Sequence, residues 1–494
     1  MNLADLKPFI DHQWRHDIVP RLVDYVKIPA KSPGFDASWD QHGHLKAVVA
    51  MASDWARAQP GGPGGAAALA GMRLEIVELP GRTPVIFFDV PATQGLGGDR
   101  SVLFYGHLDK QPEMSGWRDD LGPWKPVIEN DRLYGRGSAD DGYAIFAALT
   151  SIAALDAAGV ARPRCVGLIE TCEESGSYDL PAYLELLTPR MGQVQLVVGL
   201  DSGCGNYDQL WVTTSLRGLI GGVLTVDILS EGVHSGSASG IVPSSFRIAR
   251  QLLNRIDDPK TGAVLADVFH AAIPDERLQQ ARAAGTILGD GIWQQFPWIG
   301  CSHDPAFHAE HAGQHAMPMT TDPVEAILNR TWRPALSVTG GAGLPSLDSA
   351  GNVLRPRTQL KLSMRIPPTV DAERATHALK QLLEHDAPYR ARVRFDADFG
   401  ASGWNAPETA PWLAGLLDDL SRQTFGKPAA WMGEGGTIPF MNMLGRWFPN
   451  AQFVITGVLG PQSNAHGPNE FLHIPYATAL TRVVSGVLAG MPAA

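Results

Sequence analysis

Cysteine is scarce in this chain of 494 residues: only Cys165, Cys172, Cys204 and Cys301 are present, at irregular spacing. So few thiols exclude a disulfide framework and predict reduced cysteines. No uninterrupted apolar run is long enough to span a bilayer, and the opening stretch MNLADLKPFIDHQWRHD lacks the apolar core of a secretory signal. These absences predict a cytoplasmic protein with no membrane partner. Clusters of Lys and Arg that could neutralise several phosphates are also missing, and the net charge is -11. Nucleic acid is therefore excluded as a partner, and the acidity reads as solubility. There is no internal repeat and no HExxH segment, which excludes solenoids and metal sites built on that helix.

The length exceeds what one ordinary core accommodates and predicts two domains. Apolar residues in Ile10–Val26 recur at helical spacing, and the run ends in KIPAKSPGF, whose prolines and glycine stop a helix. GGPGGAAALAG at 61–71 reads as a surface loop. Short β-rich runs then alternate with helices: VIFFDV, SVLFYGHLD, a helix near 143–158, CVGLIE, a helix near 182–187, and VQLVVGLD. Such alternation predicts an α/β layer with a largely parallel sheet. From about Ser215 the runs LIGGVLTVDIL, TQLKLSMRI and RARVRFDADF bracket helices near 244–255 and 372–385, which predicts a smaller α+β domain. After Gly403 the alternation resumes with a helix near 411–425, the strand AQFVITGVL and a closing helix from about Pro475. The simplest organisation is an α/β domain over 1–214 and 403–494, interrupted by an inserted domain over 215–402.

Acidic residues and histidines stand where the expected strands end, the place where an open α/β sheet puts its ligands. In SVLFYGHLD, His107 and Asp109 lie two apart and share a side of an extended chain. Alone, that pair fits a satisfied surface histidine as well as a ligand with its orienting carboxylate. In LYGRGSADDGYAIFAAL a glycine-rich turn brings Asp140 and Asp141 to a helix start, where they could cap the helix or bridge two cations. CVGLIETCEESGS sets Glu173 and Glu174 after an apolar strand, either as solvated charges or as a ligand and a proton acceptor. Asp201 ends VQLVVGLD, and His466 sits in the loop PQSNAHGPNEF. As a set, these residues form a mixed nitrogen and oxygen shell that suits zinc or manganese. The segment from His303 to His315 is histidine-dense and reads as a surface loop.

With these segments in hand, the chain resembles the co-catalytic dinuclear metallopeptidase superfamily of carnosine dipeptidase, peptidase T, acetylornithine deacetylase, succinyl-diaminopimelate desuccinylase and glutamate carboxypeptidase. The resemblance runs from YVKIPAKSP through GHLDKQP, LYGRGSADD, EESGS, GLDSG, SLRG, VHSG and SMRIPP to GEGGTIP and AHGPNE. It implies a zinc-peptidase-like α/β domain and an inserted ferredoxin-like lid or dimerisation domain. It also implies two divalent metal ions, zinc first, with manganese or cobalt as alternatives. Asp140 would bridge them, with His107 and Asp201 at one ion and Glu174 and His466 at the other. Glu173 would be the general base acting on a metal-bridged water, and Asp109 the clamp on His107. The family's non-proline cis peptide falls at Asp140–Asp141.

In the inserted domain the resemblance implies that His234 reaches the partner subunit's site in a homodimer. Arg365 would hold a substrate carboxylate, and Gly435, Gly436 and Thr437 would meet the substrate. One position departs from the family pattern: the lysine usual after the acidic pair is replaced by Gly142. Whatever that lysine supports must be supported otherwise. An aspartate at position 201 tends to accompany aminopeptidases and dipeptidases in the family, so the expected reaction is hydrolysis of a dipeptide or small peptide. An N-acyl amino acid is the alternative substrate.

Overall fold

A computed structural model describes residues 2–59, 69, 71–93, 99–298, 316–398, 400–436 and 439–492. Cys301, Thr437, the segment from His303 to His315 and most of the 61–71 stretch lie outside the described residues. The chain divides into two compact units, Met1–Thr214 with Ala406–Met432 and Met443–Ala494, and Ser215–Asn405 with Gly433–Asn442.

The first unit is built on a six-stranded sheet in the order Arg73–Val77, Val85–Val90, Arg164–Glu170, Arg100–His107, Gln193–Gly199, Gln452–Ile455. The last four run parallel, and Val85–Val90 is antiparallel to the neighbour on each side. Parallel strands are covered on both faces and so read as continuous apolar runs. Residues 101–107 are accordingly all buried. The helix Ala144–Ala157 is apolar on every side, and only its last two residues are not fully buried, the pattern of a helix enclosed by its own domain. The amphipathic segment expected over 10–26 is a helical run over 7–27 with a π-helical turn at Trp14–Ile18. Trp14 sits in that turn and donates to Thr481 of the closing helix Ile474–Ala489 at 2.9 Å.

In the second unit an antiparallel sheet runs in the order Ala335–Ala342, Arg357–Ile366, Gly218–Asp227, Arg392–Ala397. Alternate residues of Arg357–Ile366 are buried, as a sheet with one covered face requires. The helices Ser245–Leu253 and Ala372–Glu384 pack on that face through Ile248, Leu252, Leu379 and Leu383. Each starts with a side-chain cap, Ser244 accepting from the Arg247 amide and Asp371 from the Arg374 amide. Among the described residues no helix is long and apolar enough to cross a membrane. Cys165, Cys172 and Cys204 are buried thiols.

Candidate active site

Three parallel strands of the first unit deliver polar side chains at their carboxyl ends. Arg100–His107 ends on His107 itself, Glu173 and Glu174 follow Arg164–Glu170, and Asp201 follows Gln193–Gly199. Asp140 arrives on the turn before the helix Ala144–Ala157, and His466 on the loop before the short strand Phe471–His473. No side chain caps the helix, so Asp140 and Asp141 are not its N-cap. Their connecting peptide bond is cis.

The side chains converge. His107 Nε2 lies 3.3 Å from Asp140 Oδ1, 3.7 Å from Asp201 Oδ2 and 3.9 Å from Glu173 Oε2. His466 Nε2 lies 3.0 Å from Asp140 Oδ2 and 3.3 Å from Glu174 Oε2. The two oxygens of Asp140 thus face different histidines. His107, Asp140 and Asp201 form one group able to hold a metal ion, and Asp140, Glu174 and His466 form another; donor atoms within each lie within 4.8 Å of one another. His107, Asp140, Glu173 and Asp201 are buried, whereas the His466 side chain is 55% exposed and marks the open side.

Charge balance tests whether a cation fits. Asp109, Asp140, Asp141, Glu173 and Asp201 are buried, and Glu174 nearly so, around two imidazoles. Buried carboxylates in such excess are costly unless protonated or neutralised by a cation. Burial, and then the neighbouring carboxylates, push Glu173 well above the usual range, Glu174 up to about 8 and Asp201 up to about 7. Desolvation opposes charge on His466, but Glu174 and Asp140 outweigh it and raise the imidazole to about 9. Asp140 moves the other way, because the two histidines overcome its burial and hold it well below the usual range. His107 Nε2 is buried without a hydrogen-bond partner although it faces three carboxylates. A ring nitrogen left without a partner while it faces three carboxylates, amid surplus negative charge, fits a site for a divalent cation.

Around this centre, Asp109 accepts from the amides of Glu173 and Glu174, while its carbonyl engages His107 Nδ1 at 3.1 Å and its carboxylate stands 3.5 Å from that nitrogen. Gln111 donates to Glu174 Oε2 at 2.6 Å. Asp141 accepts from the His107 amide at 3.3 Å. The absence of lysine at position 142 has a steric cause. A Cβ on Gly142 would lie 2.2 Å from Tyr25 Cε1 and 2.7 Å from the Gly137 carbonyl. Tyr25 fills that space and donates to the Leu108 carbonyl, and Lys110 Nζ stands 3.8 Å above its ring while donating to the Tyr25 and Ile28 carbonyls.

Residues 103–489 match the family model described as Peptidase family M20/M25/M40. The chain belongs to this family. An M20 peptidase is a metal-dependent hydrolase of peptide bonds, which agrees with the metal-holding cluster. The chain is 24% identical over 394 residues to the cysteinylglycine-S-conjugate dipeptidase of Corynebacterium striatum, covering 78% of this chain and 81% of the relative. It is 27% identical over 404 residues to the Cys-Gly metallodipeptidase DUG1 of Saccharomyces cerevisiae, covering 76% of each. Human carnosine dipeptidase 1 shares the fold, with a TM-score of 0.73 at 20% identity over 99% of this chain and 98% of that one.

The remaining residues singled out from sequence lie in the second unit of this M20 peptidase. His234 is exposed at the end of the short strand Val233–His234, which pairs with Val353–Leu354. Arg365 is half-buried near the end of Arg357–Ile366, and Gly435 and Gly436 follow the strand Ala430–Glu434. Arg217, from the SLRG segment, donates to the carbonyls of Gly435, Asn329 and Arg333. Burial, with Arg365 and Arg330 nearby, lowers its guanidinium to about 9. Sequence reading passes over Arg217, although its guanidinium lies near Arg365 and Arg330. The same holds for Arg136 and Glu470, which lie inside the quoted segments LYGRGSADD and AHGPNE. A charge inside a glycine turn gives no sign of burial until its partner, more than three hundred residues away, is in place.

Proposed function

We propose that this M20 peptidase is a dipeptidase that holds two divalent cations, zinc foremost, between His107 with Asp201 and Glu174 with His466, sharing Asp140. The observation that carries the reading is that Asp140 presents one oxygen to each histidine. Cations held there supply Lewis acidity toward the scissile carbonyl and the attacking water. Glu173 accepts a proton as water adds to the carbonyl carbon, and returns it to the amine nitrogen as the C–N bond breaks. Its burial excludes bulk water from that transfer. Asp109 keeps both glutamates and His107 in register. Arg365, beside Arg217, holds the substrate carboxylate, a task for a planar bidentate donor. His234 serves the site of the partner subunit in a cytoplasmic homodimer, and the Gly435–Gly436 turn lets backbone amides approach the substrate.

Dipeptides are favoured over N-acyl amino acids because both relatives named above are dipeptidases. The test offers purified zinc-loaded protein Cys-Gly, β-Ala-His and N-acetyl amino acids side by side. We expect kcat/KM on a dipeptide to exceed that on every acetylated amino acid, with activity lost to a chelator and restored by metal. Preference for the acetylated compounds would replace this reading with a deacylase.

A further inference from the structure

We infer that Arg136 and Glu470 act as a positioning clamp that fixes the His466 loop against the Asp140 turn, and so sets the metal position formed by Asp140, Glu174 and His466. The inference rests on the two-cation reading proposed above. Arg136 and Glu470 are 1% and 0% exposed and meet at 2.7 Å. Arg136 also donates to the carbonyls of His466 at 3.0 Å, Gly467 at 2.8 Å and Pro112 at 3.1 Å. Glu470 accepts from the amides of Gly137 at 2.9 Å and Ala139 at 3.3 Å, and its carbonyl accepts from Gly135. One buried pair therefore grips the backbone of His466 itself and of the residue preceding Asp140. A third grip reaches the segment that follows His107 and Asp109.

The loop needs such a grip. Gln462, Asn464, His466 and Asn469 all have positive φ, a conformation that non-glycine residues hold only where their surroundings impose it. Strand Arg100–His107 fixes His107 by sheet pairing, whereas His466 comes from irregular backbone. A buried ion pair is weak as a source of stability compared with apolar packing. The guanidinium instead offers donors in fixed directions, which suits holding three segments in register. In this fold that register decides where the exposed histidine stands relative to Asp140.

The test titrates metal-free wild type, Arg136→Lys and Glu470→Gln with Zn2+ under chelator competition. We expect the variants to keep one ion with little change and to bind the other about 10–100-fold more weakly. Adding Arg136→Lys to His466→Ala should cost no further metal affinity, because the ligand it positions is gone. Equal weakening of both ions, no weakening of either, or an additive loss in the His466→Ala background overturns the clamp. A wild type that takes up fewer than two ions sinks the two-cation reading instead. In that case, or if the variants do not fold, amide exchange in metal-free wild type decides. Slow exchange at Gly137 and Ala139 supports a clamp present before metal, and fast exchange there overturns it.

Discussion

Asp109 holds Glu173 by its main chain, with Oδ1 accepting the Glu173 amide hydrogen at 3.1 Å. Its other oxygen accepts from Glu174 at 3.0 Å, so a single carboxylate anchors two adjacent glutamates while its own carbonyl engages His107 Nδ1. Removing it leaves two amides, both paired with Asp109, without their acceptor. Asp109→Ala should destabilise the metal-free protein by about 2–4 kcal/mol in urea unfolding, the cost of two unsatisfied amides. It should also lower kcat by about 10–100-fold, as loss of a group supporting the ligands does. Unchanged stability with normal turnover would remove Asp109 from the framework of the site.

Glu173 has a different task from the glutamate beside it. Glu173→Gln keeps the size of the side chain and the hydrogen bond from its backbone N–H to Asp109, but its side chain cannot take a proton. We expect two ions still to bind, KM to stay within a few-fold, and kcat to fall by about 10²–10⁴-fold. Glu174→Gln should instead weaken the ion nearest His466. If metal titration shows the reverse pattern, the roles of the two residues are exchanged.

Gly142 has no room for a side chain. Its Cβ would fall 2.2 Å from the ring of Tyr25, which is fully buried and tethered by its hydroxyl to Leu108. Gly142→Ala should therefore cost about 1–3 kcal/mol of stability, as overpacking does. Combining it with Tyr25→Ala should cost less than the two changes added together, because the clash is removed. Additive losses in a thermal unfolding cycle would show that the ring is not the obstacle.

The strand ends of this site are legible in sequence because apolar runs such as SVLFYG and VQLVVG stop at His107 and just before Asp201, and a parallel sheet brings such ends to one edge. The late arrival of His466 is legible only by resemblance, since a histidine in a Ser, Asn, Gly and Pro loop has no periodicity to place it. Arg136 and Glu470 are harder still. Each reads as an ordinary surface charge, and only the pairing of Phe471–His473 with Arg132–Tyr134 brings them together in the interior. Glu170 shows the same limit: it reads as the polar end of CVGLIE, yet it is buried against Tyr105 and Ser177, and burial lifts its carboxyl to about 8. Burial of a charge is a tertiary fact that local pattern does not carry.

The ligand protonation states give opposite pH trends for the metal-free and metal-bound protein. In the metal-free fold His466 is raised from 6.5 to about 9, Glu174 from 4.5 to about 8 and Asp201 from 3.8 to about 7. Each folded value lies above its unfolded one, so each contributes stability fully present below the unfolded value and lost as pH rises through the folded one. Asp140, held well below its usual range, stays charged throughout and adds no slope above pH 5. The metal-free protein should thus lose stability between about pH 4 and pH 9 through these three groups. Metal ligation needs them deprotonated, so zinc affinity should climb over the same upper range and flatten above about pH 9, with protons released on binding at pH 7. The rise in Tm on adding zinc should accordingly be larger at pH 8 than at pH 6. His466→Ala should remove the part of this increase that lies nearest pH 9. A zinc-induced Tm shift that is constant or shrinks with rising pH would mean that these side chains do not exchange their protons for the cation.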